Sequence, residues 1–533
     1  MVRIQGDAPS RRKTQCIIIG GETKNVSPFS LSTADLYDRL LCKLLLLGYT
    51  ELLIGVTSYQ GADRSGHHGR YLSGLPEFPS GQHGFTLTPT ILPRDQHPIS
   101  RRMLSENALK VLYRLNQAGF EAYLVGGCVR DSLLGQVPKD FDVATSATPE
   151  QVRSVFRNAR MIGRRFRIVH VRFGREIIEV TTFRGGHDTE MAERHSHQSE
   201  EGLLLRDNVW GSVDEDAMRR DFTVNALYYS VHDFAIHDWT GGLEDLEHRV
   251  LRLIGDPDLR YREDPVRMLR AVRFASKLDF TLAAETEAPL ADCASLLLQI
   301  PPARLFEEVL KLFLSGYALS TFHGLRRHGL FAMLFPSTEE SFAQLSWAEK
   351  MVEQALINTD ERIRADKPVT PAFLYAALLW PATVAQTAQL INEGVPPVPA
   401  AQQASQQVLN RQLQHTSIPK RFSLPMREIW DMQLMLPRRR GKRPYQTLVH
   451  PRFRAAYDFL LLRETAGEIA SGLGLWWTRF QEASETQQRE MVQKAEQGQD
   501  DVPVDDEGPE SMPAPARKPR RRRRRRAPRD DQE

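Results

Sequence analysis

The sequence predicts an α+β head, built as a mixed sheet with helices, followed by all-α neck and body domains. Three observations lead there. Between Glu121 and Trp239, short apolar runs alternate with Gly-containing turns, which is the pattern of strands. Helical patterns with their own caps interrupt those runs. From about Leu246 to Phe480 no strand pattern recurs and helical periodicity dominates. The chain has 533 residues, too many for one compact domain, and 41% of them are apolar, enough for a large core.

The elements follow in order. Residues 1–94 read as a poorly ordered N-terminal extension, rich in Gly, Ser and His between Gly61 and Gly84, with one helix expected near 32–47. The head spans 95–245. Glu106–Ala118 places Leu109, Leu112 and Leu115 on one helical face and stops at Gly119. Glu121–Val125 reads as a strand, Gly126-Gly127 as a turn, and Cys128–Leu134 as a helix ended by Gly135. Asp140–Ala144 is the next strand. Thr148-Pro149-Glu150-Gln151 is a capping box with Pro at the first helical position. Arg167–Phe173 and Glu176–Phe183 form a hairpin about Gly174-Arg175, and Ala226–Val231 with Phe234–Trp239 form a second pair. A helical neck, 246–335, and a helical body, 336–484, complete the folded part. Residues 485–533 turn Gln-, Glu- and Asp-rich, then Pro- and Arg-rich, and read as a disordered tail.

Composition excludes several classes. Four widely spaced cysteines give neither a zinc pattern nor a secreted disulfide framework, so a cytoplasmic location is expected. No apolar run approaches the roughly 18 residues of a membrane span. The net charge of +3 conceals an asymmetry. Residues 517–529 hold ten basic side chains, and without them 60 basic residues face 67 acidic ones, a balance of −7. Concentrated positive charge attracts polyanions.

The chemistry concentrates in a few residues. On a strand, Asp140 and Asp142 share a face while Phe141 and Val143 point to the core. Two such carboxylates bracket a pair of divalent cations, and hard oxygen ligands suit Mg²⁺. A third carboxylate is wanted nearby; Glu179 and Asp221 are both candidates, and the residues do not choose between them. Backbone N–H groups at the Gly126-Gly127 turn suit a triphosphate, and Arg130 adds a charged contact. This combination points to phosphoryl or nucleotidyl transfer through a two-metal site.

These residues carry a resemblance. Leu124-Val125-Gly126-Gly127-Cys128-Val129-Arg130-Asp131, Leu134-Gly135 and Lys139-Asp140-Phe141-Asp142-Val143 are similar to the head of class II nucleotidyltransferases, the family of bacterial poly(A) polymerases and tRNA CCA-adding enzymes. Glu179–Arg184, Arg219–Ala226 and Arg262–Arg267 resemble three further motifs of that family, in its order, and the likeness runs from about Pro93 to Trp477. It implies the polymerase β-like nucleotidyltransferase fold. The stretch Met161–Phe173, with its basic run at 163–167, resembles the poly(A) polymerase branch, as does the Arg-rich tail.

The resemblance implies a template-independent polynucleotide adenylyltransferase, which adds AMP from ATP to RNA 3′ ends, releases pyrophosphate, and acts in RNA decay. It further implies that Asp264 and Arg267, three residues apart at the start of a predicted helix, meet the edge of the incoming base. A carboxylate beside a guanidinium complements the amino donor and ring acceptor of adenine; cytosine offers the same order, guanine and uracil the reverse. Arg220 is a candidate contact to phosphate or primer. Arg438, Arg439, Arg440, Lys442 and Arg443 are candidates to grip an RNA backbone. The tail is expected to bind RNA without sequence preference, and is the candidate contact for RNA-decay proteins. Two rivals stand beside this reading: a CCA-adding enzyme, and an RNA-binding scaffold with a silent site.

Overall fold

The computed structural model describes residues 88–163, 167–185, 196–198, 204–207 and 209–499. The expected helix at 32–47, most of the basic run at 163–167, and the Arg-rich tail lie outside the described residues.

The head contains β1 (Thr90–Leu92), α1 (Glu106–Gln117), β2 (Ala122–Val125), α2 (Gly127–Leu133), β3 (Asp142–Thr145), α3 (Pro149–Val155), β4 (Ala159–Ile162), β5 (Ile168–Phe173), β6 (Glu176–Thr182), β7 (Ser196–Gln198), β8 (Leu204–Asp207), α4 (Val213–Met218), β9 (Leu227–Ser230), β10 (Ile236–Asp238) and α5 (Gly242–Glu247). Eight strands form one sheet in the order β1-β10-β9-β2-β3-β6-β5-β4. Only β3 and β6 run parallel in it; the other pairs are antiparallel. The mixed sheet expected from the sequence is therefore present.

Local signals explain these elements. Ser105 caps α1, its hydroxyl accepting from Asn107 and Ala108, and Ala108, Val111, Leu112 and Leu115 are its buried face. The Thr148 capping box opens α3 as expected. Alternation then sorts the sheet's faces. Leu124, Val143, Val169, Val171, Ile178 and Val180 share a core with α1. Val125, Ala144, Phe183 and Tyr228 face the other way, against Ala217 of α4.

The neck begins with β11 (Val250–Leu251), α6 (Pro257–Glu263), α7 (Val266–Leu278), β12 (Thr281–Leu282), α8 (Ala284–Glu287), α9 (Leu290–Cys293), α10 (Pro302–Phe313), α11 (Ala318–Arg327) and α12 (Leu330–Leu334). The body comprises α13 (Pro336–Gln344), α14 (Ala348–Arg364), α15 (Pro371–Asn392), α16 (Pro397–His415), α17 (Lys420–Gln433), α18 (Arg443–Leu448), α19 (Phe453–Ala466), α20 (Leu473–Glu482) and α21 (Glu485–Glu496). No helix among the described residues is long and apolar enough to cross a membrane.

Four readings of the sequence need correction. Regular structure begins at Thr90, not at 95: β1 pairs with β10, and three residues between Pro89 and Pro93 are too few to show alternation. β4 was missed because Ala159–Ile162 is a four-residue edge strand without a buried residue, too short to show a clear alternation. β11 and β12 form a two-residue parallel pair inside the neck, where only helices were expected. Residues 485–496, read as the start of the disordered tail, form α21. Its capping box, Ser484 with Gln487, was a legible signal, but only Val492 and Ala495 are buried.

Candidate active site

The site grows from one row across the sheet. The register places Tyr228 beside Val125, Val125 beside Asp142, Asp142 beside Glu179, Glu179 beside His170, and His170 beside Arg160. Side chains in one such row project from the same face. The parallel β3–β6 pair is thus what brings the Asp142 and Glu179 carboxylates together. Glu179 Oε1 also lies 3.1 Å from His170 Nε2 and accepts from it when that ring nitrogen carries the proton.

Asp140 lies before the strand, which starts at Asp142, and it is exposed. The expectation that both aspartates sit on one strand is corrected to that extent; Phe141 is buried in the core as expected. Burial pushes the Asp142 carboxyl up to about 6, and the charges of Glu179 and Asp140 push the same way, against Arg220. An acidic site so crowded favours a cation. Among the described residues, no three His, Cys, Asp or Glu side chains converge into a ready-made metal cluster.

Gly126 holds the turn between β2 and α2, with φ 79° and ψ −136°. This region is open essentially to glycine alone. Gly127 is the first residue of α2. Gly126→Ala is expected to strain the turn by about 1–3 kcal/mol, and steady-state kinetics should show a raised KM for the nucleotide.

Arg130 is 2% exposed. Its Nε and Nη2 donate to Asp131 at 2.8 and 2.6 Å, Nη1 donates to Asn225, and the guanidinium lies 5.2 Å from the Phe274 ring centroid. It is built into the seam between α2 and α7. Arg220 is likewise engaged: Nη2 donates to Asp216 at 2.9 Å and Nε to Tyr228 at 2.7 Å, while Tyr228 donates to Asp216. A Cβ at Gly126 would lie 3.9 Å from Arg220 Nη1, so this guanidinium borders the Gly-Gly turn.

Asp221 is engaged by partners of its own. Arg270 Nε donates to it at 2.7 Å, and Asn225 and the Phe222 N–H donate as well. Burial alone would push the carboxyl up, but Arg270 and these hydrogen bonds hold it at about 2. Of the two candidates for a third carboxylate, Glu179 is the one beside Asp142. Sequence reasoning missed Asp216, Tyr228, Asn225 and Arg270, though two lay within helical reach: Asp216 four residues before Arg220, and Arg270 three after Arg267.

Asp264 and Arg267 do not pair with each other through their side chains. Asp264 precedes Pro265 and is extended, with φ −148° and ψ 93°, so the helix breaks between α6 and α7. The helical-neighbour relation therefore fails. Asp264 instead receives Arg304 Nη2 at 2.8 Å, and Arg267 Nη1 donates to the Arg260 carbonyl at 2.7 Å and to Glu263 at 2.8 Å.

In the basic loop, Arg438, Arg440, Lys442 and Arg443 are exposed. Arg439 is not: it is 7% exposed and lies over Trp476. Its assignment to RNA contact is corrected accordingly. The loop also meets α21, since the Gly441 N–H donates to Glu496 at 3.0 Å.

Comparison with known proteins agrees with this geometry. A family model described as the poly A polymerase head domain matches residues 122–252, the sheet and its Gly-Gly turn. Two more match: a "probable RNA and SrmB-binding site of polymerase A" at 279–342, and the polymerase A arginine-rich C-terminus at 393–527. The class is a nucleotidyltransferase with a poly(A) polymerase head. Poly(A) polymerase I of Salmonella typhimurium is 50% identical over 83% of this chain and 93% of its own length. That of Haemophilus influenzae is 47% identical over 75% and 89%. The chain belongs to the poly(A) polymerase I family. The crystal structure of a Bacillus stearothermophilus CCA-adding enzyme in complex with CTP is 26% identical, covering 73% of this chain and 82% of its own, with a TM-score of 0.47.

Proposed function

We propose that this chain is a template-independent polynucleotide adenylyltransferase that adds AMP from ATP to RNA 3′ ends, releases pyrophosphate, and so serves RNA polyadenylation and decay in the cytoplasm. The observation that carries the chemistry is the placement of Asp142 beside Glu179, one strand from the Gly126 turn. Family membership carries the choice of RNA polyadenylation.

Asp140 and Asp142 would hold Mg²⁺ in a two-ion site, with Glu179 supporting it. The donor set is all carboxylate oxygen; burial pushes the Asp142 carboxyl up most, and the charges of Glu179 and Asp140 add a repulsion that a cation relieves. When bound, the ions supply the positive charge that favours an attacking 3′-oxygen and a departing pyrophosphate. The chain's own groups do the rest. Gly126 and Gly127 offer backbone N–H groups to the triphosphate. Arg220, fixed by Asp216 and Tyr228, directs positive charge toward that turn. Arg130 and Asp221 act from behind, holding the head to α7 through Asn225 and Arg270. Asp264 and Arg267 read the base edge, and selection of adenine over cytosine falls to the shape of the neck around them. Arg438, Arg440, Lys442 and Arg443 grip RNA phosphates.

The deciding experiment is extension of a labelled generic RNA with purified protein, Mg²⁺ and each nucleoside triphosphate separately. A long ladder with ATP alone is expected. Short additions requiring CTP and confined to tRNA ends would assign the CCA-adding activity instead. Truncation before Arg517 is expected to weaken RNA binding and flatten its salt dependence. Binding unchanged across a salt series would remove the tail from that role. The tail is also the proposed contact for RNA-decay proteins.

A further inference from the structure

The geometry points to Arg304 as the positioning residue for base selection, a role that rests on Asp264 reading the base edge. Arg304 stands in the first turn of α10, 40 residues beyond Asp264. Its Nη2 donates to Asp264 Oδ2 at 2.8 Å, while the backbone N–H of Val266 donates to Oδ1 at 3.3 Å. The carboxylate is thus held by one contact on each oxygen, from two different elements.

Local structure holds only one of its two oxygens. Asp264 is extended before Pro265 and lies outside both flanking helices, so apart from the Val266 N–H at 3.3 Å no helical neighbour holds its side chain. Arg267, the neighbour expected from spacing, is turned to Glu263 and the Arg260 carbonyl. The direction in which Asp264 presents its acceptors is therefore set from α10.

As a stabilising device the pair is poor. Asp264 and Arg304 side chains are 19% and 29% exposed, and Arg304 Nη1 is buried without any hydrogen-bond partner. A buried unsatisfied donor costs stability, and a hydrophobic contact would fill the space with less loss. What the guanidinium does, and an apolar side chain cannot, is to aim a carboxylate. An ionised carboxylate only accepts hydrogen bonds. Aimed at the base edge, it welcomes the amino group of adenine and repels the carbonyl oxygen that guanine or uracil presents there. A carboxylate free to rotate loses that discrimination without losing the metal site.

The test measures kcat and KM for ATP and GTP in single-nucleotide addition to a labelled RNA, for the full chain and for Arg304→Met, Arg304→Gln and Asp264→Asn. For Arg304→Met, the preference for ATP over GTP should fall about tenfold, the size of one charged hydrogen bond. The loss should appear mainly in KM for ATP, with RNA affinity unchanged. Arg304→Gln keeps bulk and a donor but not the charge, and should lose selectivity too; it decides the matter if Arg304→Met does not fold. Arg304→Met combined with Asp264→Asn should be no less selective than Asp264→Asn alone, since the first acts through the second. If Asp264→Asn lowers selectivity while folded Arg304 variants keep it, the role of Arg304 is overturned and base reading by Asp264 stands. If Asp264→Asn keeps full selectivity, both fall.

Discussion

Asp142→Ala is expected to abolish nucleotide addition, lowering kcat by at least about a thousandfold, equivalent to roughly 4 kcal/mol of barrier. The side chain sits in the row that also bears Glu179, at the start of β3. Its removal takes away the better-shielded of the two aspartates proposed to hold Mg²⁺ and leaves Asp140, which is exposed and outside the strand. The fold should not suffer. Burial and the charges of Glu179 and Asp140 both work against an ionised Asp142, so its loss relieves repulsion. RNA affinity should remain within about twofold, because phosphate contacts elsewhere dominate it. Single-turnover addition from ATP and an RNA titration on the same preparation check both halves. Near-normal turnover would sink the carboxylate assignment.

Asp221→Ala is expected to act differently, lowering stability and activity together. The mutation strips Arg270 of its carboxylate and removes the acceptor of Asn225, which itself accepts from Arg130. Breaking one side of a buried ion pair costs about 3–5 kcal/mol; Arg270 is a third exposed, so about 2–4 is expected here. Urea unfolding of the two proteins measures it. The pH dependence has a definite sign. The Asp221 carboxyl is held at about 2 in the folded chain, below the ordinary aspartate value near 3.9. Its contribution is present above pH 4 and is lost as pH falls toward 2. Asp221→Asn should accordingly show a flatter stability profile between pH 4 and 2. Lost activity with unchanged stability would instead make Asp221 a site carboxylate.

The positions of Asp142 and Glu179 on strands, and the turn at Gly126, could be read directly, because period-two alternation and a Gly-Gly pair are local signals. Which carboxylate stands beside Asp142 could not. That depends on the parallel pairing of β3 with β6, and strand neighbours are decided by the whole sheet. The surroundings of Arg130 and Asp264 were missed for a related reason. Both were assigned from motif and spacing, yet Arg130 turns inward to Asp131 and Asn225, and Pro265 pulls Asp264 out of the helix that would have set it beside Arg267. Arg304 left no trace at all, because its partner lies 40 residues away. The helices of neck and body were legible as a class because their apolar faces repeat at short range. α21 was not, because its composition is polar and its two buried residues make a thin stripe.

The order of strands in the sheet also governs how the site comes into being. Val125 pairs with Asp142 on one side and with Tyr228 on the other, so β2 joins residues close in sequence to residues about a hundred positions later. Pairings of that separation are slow, since the intervening chain must lose its freedom before the contact repays it. β1 waits longer still, because β10 is its neighbour in the sheet. During synthesis, then, the carboxylates of β3 and β6 emerge with their neighbours β2 and β5, well before β9 and β10, which extend the sheet beyond β2. A nascent chain that ends short of Tyr229 has the paired carboxylates but lacks β9, β10 and the proposed base-reading residues Asp264 and Arg267. Competence for nucleotide addition should switch on late, once the head sheet has closed and the neck has packed beside it, rather than accumulate with chain length.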